Sequence, residues 1–363
     1  MLKRFVSIAL LIIIITPAAL AQSPERPGDR TGASIAAEAT RLKGVLASLK
    51  LPDADGEIYA GAFNRVERAG QSGYDFLSLF LLHPSAVTLP AIEYQKAKAD
   101  VEKGGLEALE REWRRLGGEL AEKERRLTAS PSRRPPLVVQ AMLERALTQV
   151  QPHYQSGRLY GQQTTIDAGL FYLGRAKAQL DFALFCRGLD AVASGAAPPL
   201  RSLAPELEEL EREVTQAYRR LGAADQDGAF IRINASLKVA QDLERERRFS
   251  GALLQYLEVC RALEAVNSMP AENLAPDALK SLSESFRTQL SGGKTDHSIG
   301  RLYWQMAQTA LESGDANDLK QAAVILHHVA PRYFKYLERL KEVPAPKAVA
   351  GEVTVTLARW PYT

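Results

Sequence analysis

Apolar side chains recur every third or fourth position in segment after segment of this chain, the spacing that gathers them on one side of a helix. Residues 33–50 form the first such segment, with Ala36, Ala37, Ala39, Leu42, Val45, Leu46 and Leu49 on one broad face. Residues 52–56 (PDADG) read as the turn that ends it. The densest apolar run, residues 76–82, suits a buried core helix. From Pro90 to Leu127 the chain is charged and helical. Leu106, Leu109, Trp113, Leu116 and Leu120 alternate three and four apart, a seam that lies along another helix. Gly104-Gly105 and Gly117-Gly118 interrupt this stretch. Each glycine costs about 1 kcal/mol in a helix interior, so kinks or breaks are expected at both pairs.

A connector rich in proline and arginine, residues 129–136, leads to a helix starting near Leu137 with Met142, Leu143, Ala146, Leu147 and Val150 on its apolar face. Thr164 is the expected cap of the next helix, with Asp167 in its first turn. That helix, to about Leu189, is apolar nearly all round and should be buried. After a second connector, residues 194–205, Pro205 suits the first turn of a helix reaching Leu221.

Two segments farther on share a plan. In residues 231–266 a helix containing Ala240-Gln241 leads to a turn near Arg247-Arg248, and Phe249, Ala252, Leu253, Leu254, Tyr256 and Leu257 open the next helix. In residues 299–334 a helix containing Ala307-Gln308 leads to Gly314-Asp315. Leu319, Ala322, Ala323, Leu326 and Ala330 then form a second apolar face that Pro331 should end. A hairpin of this kind must stack on neighbours to bury its face. The second segment resembles a tetratricopeptide repeat: Trp304 and Pro331 stand at two of the family's marked positions, and Gly314-Asp315 fall at its turn. Ala307-Gln308 stand where the family has Leu-Gly, and Leu311 where it has Tyr. The resemblance implies stacked helical hairpins with a concave, protein-binding face.

The ends change the picture. Lys3 and Arg4, an apolar stretch over residues 5–15, Pro17 and Ala19-Leu20-Ala21 follow the order of a secretory signal, with cleavage expected between Ala21 and Gln22. A formal net charge of +3 becomes near-neutral once Lys3 and Arg4 are removed, so no electrostatic case for nucleic acid exists. An exported chain can pair its two cysteines, but Cys186 and Cys260 lie in apolar helical runs and read as small buried hydrophobes. The C-terminal stretch alternates Val353, Val355 and Leu357 with Thr354, Thr356 and Ala358 and ends in Trp360 and Tyr362. This strand-like tail, beyond the spacer Val343-Pro344-Ala345-Pro346, either docks on its own chain or adds to a partner's sheet edge.

Chemistry-bearing motifs are sparse. Residues 52–56 and a second acidic stretch, Asp225-Gln226-Asp227-Gly228, fail as EF-hands, because Ala62 and Asn234 stand where the bidentate glutamate belongs. His327 and His328 are adjacent, so a helix points them about 100° apart, and zinc helices use i and i+4. His83, His153 and His297 are scattered. Residues 290–295 (LSGGKT) lack the first glycine of a phosphate loop, and Gly292-Gly293 read as a helix stop. No catalytic, cofactor-binding or metal-ligating residue is therefore assigned.

The expected protein is all-α, built of antiparallel hairpins and solenoid-like in its C-terminal part. The expected divisions are a signal peptide (1–21), an N-terminal helical region (22–128), a central one (137–222), repeat-like hairpins (229–340) and a spacer with tail (341–363). The expected function is an exported scaffold that binds a protein or peptide of the cell envelope. The alternatives are an envelope hydrolase using helix-borne carboxylates, or a carrier of an apolar ligand between residues 76–82 and 171–185. A raised carboxylate pKa in a deep cleft would favour the enzyme, an enclosed apolar cavity the carrier.

Overall fold

The computed structural model describes residues 30–127, 134–221, 227–267, 275–292 and 294–342. The architecture is all-α: α1 (Thr31–Leu49), α2 (Asp53–Gln71), α3 (Asp75–Lys96), α4 (Ala99–Lys103), α5 (Gly105–Arg125), α6 (Leu137–Gln163), α7 (Ile166–Gly188), α8 (Ala204–Leu221), α9 (Asp227–Arg245), α10 (Phe249–Val266), α11 (Pro276–Ser291), α12 (Ser298–Ser313), α13 (Ala316–Val324) and α14 (Ala330–Glu342). Among the described residues the one extended pairing is an isolated parallel bridge between Ala196 and Thr295. Connectors 128–133 and 222–226, the expected signal with Ala21 and Gln22, and the tail with Val353, Val355, Leu357, Trp360 and Tyr362 lie outside the described residues.

Two helices organise the N-terminal half. Helix α3 is long and apolar enough to cross a membrane by length and composition, yet here it is a core helix with Leu79, Leu82 and Leu89 fully buried. It runs through Pro84 and Pro90, so the charged helical stretch begins after Lys96 rather than at Pro90. Helix α7 packs on α3 and α6, and Leu170, Leu173, Ala176, Leu180 and Ala183 are buried around it, as its all-round apolarity predicts.

The α6–α7 contact is backbone against backbone. A Cβ added at Gly169 would sit 2.7 Å from the Gly157 carbonyl oxygen and 2.8 Å from Gly161 Cα. Small residues one turn apart on α6 let the two axes approach this closely, the same device that drives Gly-xxx-Gly helix pairs. A smaller core joins α5 to this pair through Leu109, Leu116, Leu120, Tyr154 and Leu170.

Several local expectations are corrected. Asp53 begins α2 instead of a turn. Asp53 and Asp55 stand in its first turn, where carboxylates meet the positive end of the helix dipole. The break at Gly104-Gly105 is present, with Gly105 at φ +70°, but α5 runs unbroken through Gly117-Gly118. Burial of Leu116 and Leu120 on either side of that pair outweighs the glycine cost. Leu106 is 52% exposed: Leu109 already packs on Gly161 near the end of α6, so the position one turn earlier has run past its partner helix. Thr165, not Thr164, caps α7: its hydroxyl accepts from Ala168 N at 3.0 Å, while Thr164 Oγ1 donates back to Tyr160 O and finishes α6.

In the C-terminal half, α9 and α10 meet at a turn where Arg247 takes φ 57°, and α12 and α13 meet at Gly314, φ 69°. Asp315 caps α13 by accepting from Asn317 N. Pro331 does not end the second helix. The chain widens into a π-turn over Ile325–Val329, with Ala330 N donating to Ile325 O, and continues as α14. The wider turn gives room to a proline ring that would otherwise press on the carbonyl four residues back.

The connector after α7 is a packed strap. Ala196 N donates to Lys294 O at 2.6 Å, Asp296 N donates to Ala196 O at 2.8 Å, and Leu203 is fully buried. Beside it Asp296, also fully buried, caps two helices at once. Its carboxylate accepts from Leu137 N at 2.8 Å, opening α6, and from Ser298 N at 3.0 Å, opening α12. Ser298 Oγ accepts from Val138 N at 3.0 Å. One buried core runs from Ile35 through Leu143 and Leu257 to Leu340, so the expected N-terminal, central and C-terminal regions share their interior.

Candidate functional site

The side chains of α3 and α7 that face α1 frame an open cleft of about 460 Å³. Its floor is apolar and flat. Ala86 and Pro90 come from α3, Gly174, Ala178, Phe182 and Phe185 from α7. A Cβ at Gly174 would meet the Ala91 backbone at 2.8 Å, so the helices touch here and leave shallow relief above them.

Charges ring this floor, and most are paired. Arg41 binds Glu38 through two hydrogen bonds of 2.8 and 2.7 Å. Asp181 accepts from Lys123 of α5 at 2.7 Å and from Lys177 at 2.8 Å. Burial pushes the Asp181 carboxyl up, but the hydrogen bonds and charges of the two lysines more than offset this and hold it below its ordinary value. The Glu38 hydrogen bond raises Arg41 against the effect of burial, helped by the fields of Glu38, Glu93 and Asp181. Glu93 lines the cleft, is exposed, and makes no ion pair among the described residues.

Tyr94, at the rim, donates to Glu112 Oε1 at 2.5 Å. Glu112 also binds Arg115 at 2.8 Å and Lys98 at 3.0 Å. Burial works to raise the Glu112 carboxyl, but the Arg115, Tyr94 and Lys98 hydrogen bonds prevail and bring it to about 2.

The carboxyl that burial does raise belongs to Glu144, away from the cleft. It accepts from Gly251 N at 2.7 Å and from Gln140 Nε2 at 2.8 Å, so it serves the first turn of α10. Glu258 is held below its ordinary value: burial opposes ionisation, and Arg261, Arg145 and the Tyr303 hydroxyl overcome it. A carboxylate that stays ionised between cations is a poor proton donor. Its natural use is an ion pair.

His327 and His328 both fall in the π-turn. His327 Nε2 is shielded from solvent and has no hydrogen-bond partner, and His328 Nδ1 lies 3.7 Å from Glu264. Cys186 and Cys260 are buried free thiols, Cys260 pushed up to about 12 by burial. Helix α11 stops at Gly292, and Thr295 of the phosphate-loop-like stretch is spent on the bridge to Ala196.

Sequence reading missed the cleft residues Glu38, Arg41, Glu93, Lys177 and Asp181, because charges on helices usually mark solvated faces. One signal was available. Arg175, Lys177 and Asp181 interrupt the otherwise apolar stretch of α7, and charges on a buried helix need a reason. No family model, curated protein or solved structure matches this chain.

Proposed function

We propose that this chain is an exported helical scaffold whose α1–α3–α7 cleft holds a peptide segment of another envelope protein. The observation that carries the reading is the cleft's makeup: an open, apolar floor of alanine, proline and phenylalanine inside a rim of fixed ion pairs. Glu93, without an ion pair among the described residues, is the position for a basic side chain of the partner, and the floor takes an apolar neighbour. Lysine-held Asp181 is suited to recognition and not to proton transfer, which weighs against the hydrolase alternative. Export rests on the order of charged, apolar and small residues over positions 1–21.

The test is site-specific photo-crosslinking in envelope extract. Benzoylphenylalanine replaces Ala97 at the cleft rim or, as control, Ile231, which is 68% exposed on α9. One adduct of defined mass from position 97, absent from position 231 and lost in Glu93→Lys, is the expected result. The same adducts from both positions, or insensitivity to Glu93→Lys, would remove the cleft from consideration. Repeating the capture with a chain ending at Val343 decides whether Val353, Val355, Leu357, Trp360 and Tyr362 contribute.

A further inference from the structure

A second cavity, of about 220 Å³, opens at the other end of α3 from the cleft, where the strap after α7 crosses the start of α12. Four helices begin around it. Thr31 opens α1, Asp75 opens α3 and Ser298 opens α12, while Pro136 stands immediately before α6. Each start brings backbone N–H groups without an intrahelical acceptor, and the positive end of a helix dipole, to the cavity wall.

Two acids of the chain answer part of this charge. Asp296 accepts from Leu137 N and Ser298 N, and so serves α6 and α12. Asp75 stands in the first turn of α3, and a Cβ added at Gly32 would sit 2.7 Å from its Oδ1. The carboxylate therefore lies against the first turn of α1 as well, in room that a glycine leaves open. Arg301 is the cation left over. It lines the cavity, its Nη1 donates to Ser194 Oγ at 3.2 Å, and it makes no ion pair among the described residues.

Gln305 lines the same cavity one turn farther along α12. Side chains four apart on a helix are neighbours, with Cβ atoms about 5–6 Å from each other. Gln305 is 9% exposed, and its Oε1 accepts from Leu77 N at 3.3 Å, which fixes the amide plane. Its Nε2 has no acceptor among the described residues. A guanidinium without an ion pair and an oriented amide N–H group thus face one space, and both lack an oxyanion. The rest of the wall includes Phe76, Ala191 and Val192, the last 53% exposed.

We propose that this cavity binds a small organic monocarboxylate. The Arg301 fork and Gln305 Nε2 take its oxygens, and Phe76 and Val192 take a short apolar body. A single charge is balanced here, because the lining holds one arginine against one aspartate and Asp75 would repel a doubly charged phosphate. The site is separate from the α1–α3–α7 cleft and stands or falls independently of it.

The probe is 3-methylbutanoate, titrated into the full chain by saturation-transfer NMR. Its neutral counterpart is 3-methylbutanamide, and inorganic phosphate above its second ionisation is the doubly charged competitor. Arg301→Met removes the charge without breaking an ion pair among the described residues. Gln305→Glu keeps an oxygen for Leu77 N and puts a negative charge where the amide donor was. Arg111→Met on the exposed face of α5 is the control. Saturable binding of 3-methylbutanoate is expected, at least about tenfold weaker in either α12 variant and unchanged in the control. The amide binds at least about tenfold more weakly than the acid. Unchanged urea midpoints in the variants separate lost binding from lost fold. No saturable transfer to 3-methylbutanoate, equal affinity in wild type and both α12 variants, or an amide bound as tightly as the acid overturns the proposal. Phosphate that binds more tightly than 3-methylbutanoate overturns the assignment to a monocarboxylate.

Discussion

The two sides of α7 treat charge in opposite ways. On the cleft side every cation of the network has an acid: Lys123 and Lys177 share Asp181, Arg41 holds Glu38, and Arg115 and Lys98 hold Glu112. On the other side Arg175 makes no ion pair among the described residues and lies over the Phe171 ring, while Arg145 lies over Phe80 in the field of Glu258. A protein that wanted only stability would treat both sides alike, since an unpaired buried charge opposes folding and a well-packed apolar residue does not. The ion pairs on the cleft side therefore give its rim a structural share.

The comparison depends on α6 and α7 keeping their separation, so the largest effect is expected there. Gly169→Ala drives a Cβ into the Gly157 carbonyl and Gly161 Cα, backbone atoms that cannot swing aside, and costs about 2–3 kcal/mol in urea unfolding. Next comes the anchor of the α6 wall. Asp296→Ala leaves Leu137 N and Ser298 N without their acceptor inside the core and costs about 2 kcal/mol, measured the same way.

A smaller loss follows on the paired side. Asp181→Asn leaves Lys123 and Lys177 facing one another in a partly exposed network and costs about 1 kcal/mol, shrinking as salt is added. The gentlest effect appears in the pH dependence. Glu112 has a folded pKa near 2 against an ordinary 4.5, so its contribution is complete above pH 4.5 and is lost as pH falls toward 2. Glu112→Gln flattens the acid limb of the stability curve in that window; an unchanged limb would show that the Arg115–Tyr94–Lys98 cluster does not hold the carboxylate.

Helices were legible wherever one apolar face repeated without interruption; the turn near Arg247-Arg248 showed as the break between two such patterns, and Gly314 marked the other, where it takes left-handed backbone. What failed was local punctuation overruled by packing. Gly117-Gly118 and Pro90 read as boundaries, but residues on either side of each, Leu116 and Leu120 in α5 and Leu89 and Ala91 in α3, are buried and the helices continue. Pro331 read as a stop, but a π-turn accommodates it. Neither charge pattern around α7 was legible, because pairing and its absence depend on which helices meet. Lys123 and Asp181 are far apart in sequence, and Arg175, without an ion pair among the described residues, differs from Lys177 only through the helices that meet it. The GRLYG stretch at residues 157–161 was a visible sign of close helix contact that sequence reading passed over.

The most direct measurement is urea unfolding of Arg175→Met beside Asp181→Asn, at low salt and neutral pH. If only the cleft side of α7 is held by ion pairs, Arg175→Met is as stable as wild type or more so, while Asp181→Asn is weakened. An Arg175→Met variant that loses stability as Asp181→Asn does would show that Arg175 also holds the fold together, and the distinction between the faces would be gone.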